Sequence, residues 1–104
     1  MSMTVVVTRN VSDRLRGFLA SSMLEIAPGV YTAPRVSAGV RDRVWGVVAD
    51  WFLSERDASV VMVWADSQEV GGQGVRILGL PPVSLVDLDG LFVAFRPPSA
   101  TAAP

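Results

Sequence analysis

Two stretches of the chain are apolar at nearly every position, residues 3–8 and residues 59–65. Both are rich in valine, and neither shows the strict alternation of a strand with one wet face. Continuous β-branched runs of this length are typical of strands covered on both sides of a sheet. We therefore expect two central strands that need cover above and below.

Apolar residues recur at helical spacing in two further stretches, residues 12–26 and residues 37–54. Ser12 and Ser37 stand where helix N-caps are expected, and the Ala-Pro-Gly sequence at 27–29 should end the first helix. The apolar positions are Leu15, Phe18, Leu19, Met23 and Ile26 in the first helix, and Val40, Val44, Val47, Val48, Trp51 and Phe52 in the second. Arg41, Arg43 and Asp50 are expected on the opposite, solvated side of the second helix.

Shorter strands are predicted at residues 30–32, bounded by Pro34, at 75–79 after a glycine-rich turn, and at 91–95. The element order is then β-α-β-α-β-β-β. Two helices on one face of a mostly antiparallel sheet form a two-layer α+β sandwich. Since the central strands need a second cover, we expect a two-fold homodimer packed sheet to sheet.

The C-terminal residues 97–104 are rich in proline and alanine, which is typical of a disordered tail. The folded domain is therefore expected to span residues 1–96. No apolar run approaches the roughly 20 residues that a membrane-spanning helix needs. No positively charged segment precedes an apolar stretch near the N-terminus, so a signal peptide is not expected. These features favour a soluble cytoplasmic protein that does not enter a membrane.

Composition excludes several kinds of chemistry. The 104 residues include nine arginines and ten acidic residues, for a net charge of −1, but no lysine, histidine or cysteine. Disulfides, zinc sites built from histidine or cysteine, and catalysis by Ser-His-Asp or Cys-His groups are therefore impossible. Acid–base chemistry would have to come from carboxylates, from Tyr31 or from water on an oxygen-bound metal such as Mg²⁺.

Basic residues gather where the first strand meets the first helix, at Arg9, Asn10, Arg14 and Arg16. Free backbone N–H groups and the positive end of the helix add to this charge, so the junction suits a phosphate group. The simpler interpretation is a solvated helix flank. A chain of net charge −1 should bind DNA poorly without a more basic partner.

A second candidate site is the pair Asp87 and Asp89, just before Gly90. In an extended chain both carboxylates would face the same side and could share a cation. The alternative, which we favour, is an Asx-type turn leading into the last strand.

An ordered series of short motifs runs along the chain. It includes Arg-Leu-Arg-Gly at 14–17, Pro-Gly-Val-Tyr at 28–31, and Val-Asp-Leu-Asp-Gly-Leu at 86–91, with Arg41, Trp45 and Trp64 between them. Over about residues 1–96 the series resembles the small CRISPR-associated adaptation proteins of the second Cas family, in its type I-E form.

The resemblance implies a ferredoxin-like fold and a symmetric dimer. It also implies a role as the central bridge of a spacer-acquisition complex, flanked by integrase dimers and crossed by a duplex DNA prespacer. Phosphate contacts would then come from Arg9, Asn10, Arg14, Arg16 and Arg41. Leu91, Phe92, Val93 and Phe95 of the last strand would dock on a partner by strand addition, with the integrase as the expected partner.

Some members of that family are described as metal-dependent endonucleases that use an acid at the end of the first strand. This chain has Arg9 there, which would repel Mg²⁺, although Asp87 or Asp89 could be recruited. Three functions remain open: a DNA-bridging subunit without catalysis or a required cofactor, a Mg²⁺-dependent endonuclease, and an interaction domain that binds no nucleic acid.

Overall fold

The computed structural model describes residues 2–79 and 84–95 of the chain. The strands are β1 (Ser2–Arg9), β2 (Leu24–Ala27), β3 (Val30–Val36), β4 (Ser59–Ala65), β5 (Gln73–Gly79), β6 (Ser84–Leu88) and β7 (Leu91–Phe95). The helices are α1 (Asp13–Ser22) and α2 (Ala38–Phe52), and a short 3₁₀ turn, Val70–Gly72, precedes β5. No helix in the described ranges is long and apolar enough to cross a membrane. The predicted tail at 97–104 lies outside the described residues.

Five strands form one antiparallel sheet in the order β2-β3-β1-β4-β5. Both valine-rich stretches are interior strands, as predicted, and β1 lies at the centre. Val6 of β1 is opposite Tyr31 of β3 on one side and Met62 of β4 on the other. The first four strands and two helices follow the connectivity of a ferredoxin-like sandwich, with β3 inserted between β1 and β2.

The core lies between one face of this sheet and the two helices. Its fully buried members include Val6, Tyr31 and Val60 from the sheet, and Leu15, Leu19 and Val48 from the helices. Burying a leucine side chain contributes about 1.5–3 kcal/mol. The helical periodicity that predicted the apolar side of α1 is therefore confirmed at Leu15 and Leu19.

The opposite face of the sheet is apolar, and the helices of the described residues do not cover it. Val7 stands in register with Val61, and Val61 with Ile77. Val61 and Ile77 are half-buried, while Val7 is 42% exposed and Met3 is 53% exposed. Within residues 2–79 and 84–95, helices therefore cover only one side of the two central strands.

The predicted first helix is too long. It ends at Ser22, and Leu24–Ala27 is strand β2, paired with β3. The hydroxyls of Ser21 and Ser22 donate to the Phe18 carbonyl at 2.6 and 3.3 Å, which competes with the backbone pairing that would continue the helix. Ile26, predicted on the apolar helix side, is 59% exposed. The new strand supplies the element that a ferredoxin-like order requires.

Two other strand predictions also needed correction. β3 continues past Pro34 to Val36, because a register shift between Ser2 and Thr4 places the proline at an irregularity in the pairing. Ser84–Leu88, for which no strand was predicted, pairs with the predicted last strand to form a separate two-stranded hairpin.

Candidate nucleic-acid interface

The turn between β1 and α1 is anchored by Asn10. This residue has a left-handed backbone, with φ at +57°, which asparagine tolerates better than most residues. Its side-chain Nδ2 donates to the backbone oxygens of Asp57 at 3.1 Å and Arg56 at 3.4 Å. The Asn10 amide thus ties the junction to the loop that follows α2.

Ser12 caps α1 as predicted, because its Oγ accepts from the backbone N–H of Leu15 at 3.3 Å. The same residue also binds a carboxylate that no local pattern in the sequence predicts. The Ser12 backbone N–H donates to Oε1 of Glu55 at 2.6 Å, and the Ser12 hydroxyl donates to Oε2 at 2.8 Å. The prediction of unoccupied donors at this helix end therefore needs correction, because an internal anion already holds the cap residue.

Arg14 is exposed, yet its position is fixed by an aromatic ring. Its guanidinium carbon lies 3.8 Å from the centroid of the Trp51 ring, and Trp51 packs edge to face with Phe18 at 5.3 Å. Such a cation–π contact is worth about 0.5–1 kcal/mol at an exposed site. The charge is therefore held on the α1–α2 surface while remaining accessible to a ligand.

Arg16 lies between two carboxylates. Its guanidinium is 3.6 Å from Glu25 and 4.0 Å from Asp13, with 46% of the side chain exposed. Contact with the Tyr31 hydroxyl and the charge of Glu25 hold the pKa of Arg16 above its ordinary value. The backbone N–H of Gly29 donates to Glu25 at 3.1 Å and is the main cause that lowers the pKa of that carboxyl. Both groups are therefore charged at neutral pH.

Tyr31, considered above as an acid–base group, is a core residue. Its side chain is fully buried, and this burial raises the pKa of the phenol. The phenol is therefore neutral at ordinary pH and unavailable as a base.

A cavity of about 320 Å³ opens beside this junction, lined by Thr8, Asn10, Val11, Arg16, Pro28 and Gly29. Gly29 has φ at +78°, and a Cβ there would lie 2.8 Å from the Thr8 carbonyl oxygen. The backbone N–H and the hydroxyl of Thr8 donate to the Gly29 carbonyl at 2.7 and 3.0 Å. The contact between Thr8 and Gly29 forms one wall of the cavity. Asn10 and Arg16 line the same cavity. Arg9 is exposed at the adjoining end of β1.

The charges of the junction balance. Arg9, Arg14 and Arg16 are its three cations, and Asp13, Glu25 and Glu55 are the carboxylates at the same helix end and around Arg16. Weak attraction of the chain alone for DNA stays a prediction, and this balance of charge gives a physical reason for it.

Arg41 does not belong to this cluster. It lies in the first turn of α2, at the opposite end of the sheet, and is only 8% exposed. The expectation that it projects from the solvated side of the helix is wrong. Its guanidinium carbon lies 4.2 Å from the Trp64 ring centroid, so the aromatic surface of β4 draws it inward.

The two aspartates lie at the turn of the β6–β7 hairpin. Oδ1 of Asp87 accepts from the backbone N–H of Gly90 at 2.9 Å, which confirms the Asx-type turn. Asp89 and Gly90 both have positive φ, at 54° and 83°, as tight hairpin turns require. The described ranges hold no group of three or more acidic residues that could bind a metal ion. A cation shared by Asp87 and Asp89 stays a prediction.

The predicted docking strand is exposed at two of its positions, since Leu91 is 67% and Val93 43% exposed. Phe92 and Phe95 belong to the same strand, but their side chains lie outside the described part of the structure. Docking on a partner stays a prediction.

Comparison with known families covers all the elements named above. The sequence matches the model of a family described as CRISPR-associated protein (Cas_Cas2CT1978) over residues 3–93. That span begins in β1 and ends in β7, so it includes the arginine junction, both helices and the hairpin. The chain therefore belongs to the Cas2 family of CRISPR-associated proteins.

Proposed function

We propose that this Cas2-family protein is a dimeric subunit of a type I-E spacer-acquisition complex that binds duplex DNA and bridges integrase dimers without cutting DNA itself. The observation that carries the proposal is the exposed arginine junction at the end of β1. Arg9 at the end of β1 and Arg14 and Arg16 in α1 are all exposed, and Arg16 lines the cavity beside the junction.

The junction suits phosphates better than bases. Guanidinium groups bind phosphate oxygens through a planar fork of donors, and backbone contacts position a duplex without reading its sequence. Arg14 is held in place by Trp51, so less side-chain freedom is lost on binding. A subunit that must accept DNA of any sequence needs contacts of this kind.

The apolar sheet face supports a second copy of this chain as the dimer partner. Exposed Val7 and half-buried Val5, Val61 and Val63 lie on the same face of β1 and β4, opposite the helices. Covering them with an identical face would remove a large apolar patch from water. The two-fold axis would also duplicate the arginine junction, giving two phosphate-binding points on one duplex.

The β6–β7 hairpin supports docking on an integrase. The two strands pair with each other and not with the main sheet, and Leu91 and Val93 are exposed. A hairpin of two strands is only marginally stable alone, so a partner that adds a strand or an apolar surface would stabilise it.

The test is reconstitution with the cognate integrase and a labelled duplex prespacer. The double variant Arg14→Ala with Arg16→Ala should lose most spacer integration while retaining its circular dichroism spectrum and oligomeric state. The matched control is Arg35→Ala with Arg43→Ala, which removes the same charge from exposed positions outside the junction. Normal integration by the junction variant, or an equal loss in the control, would contradict the phosphate-binding role.

A further inference from the structure

The buried arginine at the start of α2 lacks a counter-ion in the described part of the chain. Arg41 is 8% exposed, and its Nε is fully buried without a hydrogen-bond partner. The ion pairs found in the described ranges involve Arg16 and Arg76 but not Arg41. A buried guanidinium is costly unless an anion or a set of acceptors satisfies it.

Neighbouring charges do not supply that anion. Arg76 also approaches the Trp64 ring, at 5.0 Å from its centroid, and is paired with Asp42 at 2.6 Å. Asp66 accepts from the backbone N–H of Gln68 at 2.9 Å and from Nε1 of Trp64 at 3.4 Å. The charge of Arg41 is therefore left for a group from outside these pairs.

A cavity of about 280 Å³ lies beside this guanidinium, and its lining includes Ser2, Ala38, Arg41, Trp64, Asp66 and Ser67. Ala38 is the first residue of the 15-residue helix α2, whose first turn contains no acidic residue. The positive end of α2, Arg41, Ser2 and Ser67 therefore border one space that is large enough for a tetrahedral oxyanion, and Asp66 on the same lining opposes its charge.

We propose that this cavity is a phosphate-binding site, with Arg41 as its principal ligand. The chemistry it recognises is a phosphate group, either at the end of a nucleic-acid strand or as free inorganic phosphate. It is separate from the arginine junction, since Ser2 and Arg9 stand at opposite ends of β1, about 23 Å apart at 3.3 Å per residue. The proposal does not depend on the DNA-bridging role.

The test measures three ligands at fixed ionic strength: inorganic phosphate, a 5′-phosphorylated oligonucleotide, and the same strand with a 5′-hydroxyl. Inorganic phosphate should raise the melting temperature of the wild-type protein by several degrees. Arg43→Gln, which removes an exposed charge from the same helix, should retain that response, and Arg41→Gln should lose it. Equal responses of the two variants, or none in the wild type, would overturn the proposal.

The oligonucleotides distinguish the two sources of phosphate. Several-fold tighter, Arg41-dependent binding of the phosphorylated strand would assign the site to a nucleic-acid end. Equal binding of both strands, with the Arg41-dependent response to inorganic phosphate retained, would assign it to free phosphate.

A second variant keeps the test decisive if Arg41→Gln does not fold. Asp66 lines the same cavity and would repel a bound phosphate, whereas asparagine retains an acceptor for the Gln68 N–H. Asp66→Asn should therefore bind inorganic phosphate several-fold more tightly than the wild type. Unchanged or weaker binding would count against the site.

Discussion

At the scale of single residues, the arginines of this chain are distinguished by what already holds them. Arg14 rests on an indole ring, Arg16 lies between two carboxylates, and Arg41 is buried against Trp64. Their position in the sequence is a poor guide to their availability, because each environment is created by residues distant along the chain. Under the proposed phosphate-binding role, affinity should therefore depend on the acids around the arginines as much as on the arginines themselves.

Glu55 offers the clearest test of that adjustment. Its carboxylate binds the N–H and hydroxyl of Ser12, where a phosphate would approach α1. Replacing Glu55 with glutamine keeps an acceptor but removes the negative charge. We expect duplex DNA to bind about two- to five-fold more tightly, as a charge at a helix end is worth about 0.5–1 kcal/mol.

Fluorescence anisotropy at low salt would measure this gain. The control is Glu69→Gln, the same substitution at an exposed residue in the loop after β4, at the other end of the sheet. Equal affinities of the two variants would mean that Glu55 does not oppose DNA binding.

At the scale of elements, local signals predicted beginnings better than ends. Ser12 and Ser37 cap their helices as expected, since a cap needs only a side chain and a backbone N–H three residues later. The predicted end of α1 was wrong because Met23 and Ile26 fit the helical period, whereas Leu24 and Ile26 fit the alternation of a strand equally well. The contact of Glu55 with Ser12 spans 43 residues, and no spacing rule reaches that far.

The close packing of β5 against Trp64 can be tested by a substitution at Gly74. Gly74 lies opposite Trp64 in the β4–β5 pairing, and a Cβ at Gly74 would overlap the indole ring. Gly74→Ala should therefore lower the free energy of unfolding by about 1–3 kcal/mol, the usual cost of overpacking. Denaturation by urea, followed by circular dichroism, would measure the loss.

The matched control for this variant lies in α2. Gly46 is exposed, and a Cβ there would meet no atom within 4 Å. Gly46→Ala should stabilise the fold by about 0.5–1 kcal/mol, because alanine favours a helix interior over glycine. A stable Gly74→Ala protein would show that the indole ring can move aside.

At the scale of the whole molecule, the sheet has one face buried by helices and one apolar face that no helix of the described residues covers. The valine-rich pattern of β1 and β4 correctly predicted that both faces of these strands are apolar. Such a pattern indicates that both faces must be buried, but it does not show which chain buries them. The partner itself could not be derived from the pattern.

A substitution at Val7 can test whether a second copy of this chain covers the apolar face of the sheet. Val7→Arg places a charge on the centre of the uncovered face, so it should convert a dimer to a monomer without loss of secondary structure. Light scattering after size-exclusion chromatography would report the mass. Leu53→Arg, at an 85% exposed residue after α2, should leave the dimer intact. If the wild-type protein is a monomer, or if Val7→Arg remains a dimer, the proposed sheet-to-sheet dimer is contradicted.

Under the proposed bridging role, the balance of three arginines and three carboxylates at the junction should also affect where the unassembled protein resides. Most binding to unrelated DNA comes from unneutralised positive charge, and a genome offers a vast excess of such sites. A subunit with little surplus charge should not be sequestered by the chromosome. Its free pool should then stay available for assembly, so that commitment to DNA would be decided by the complete complex and not by each protomer's own encounters.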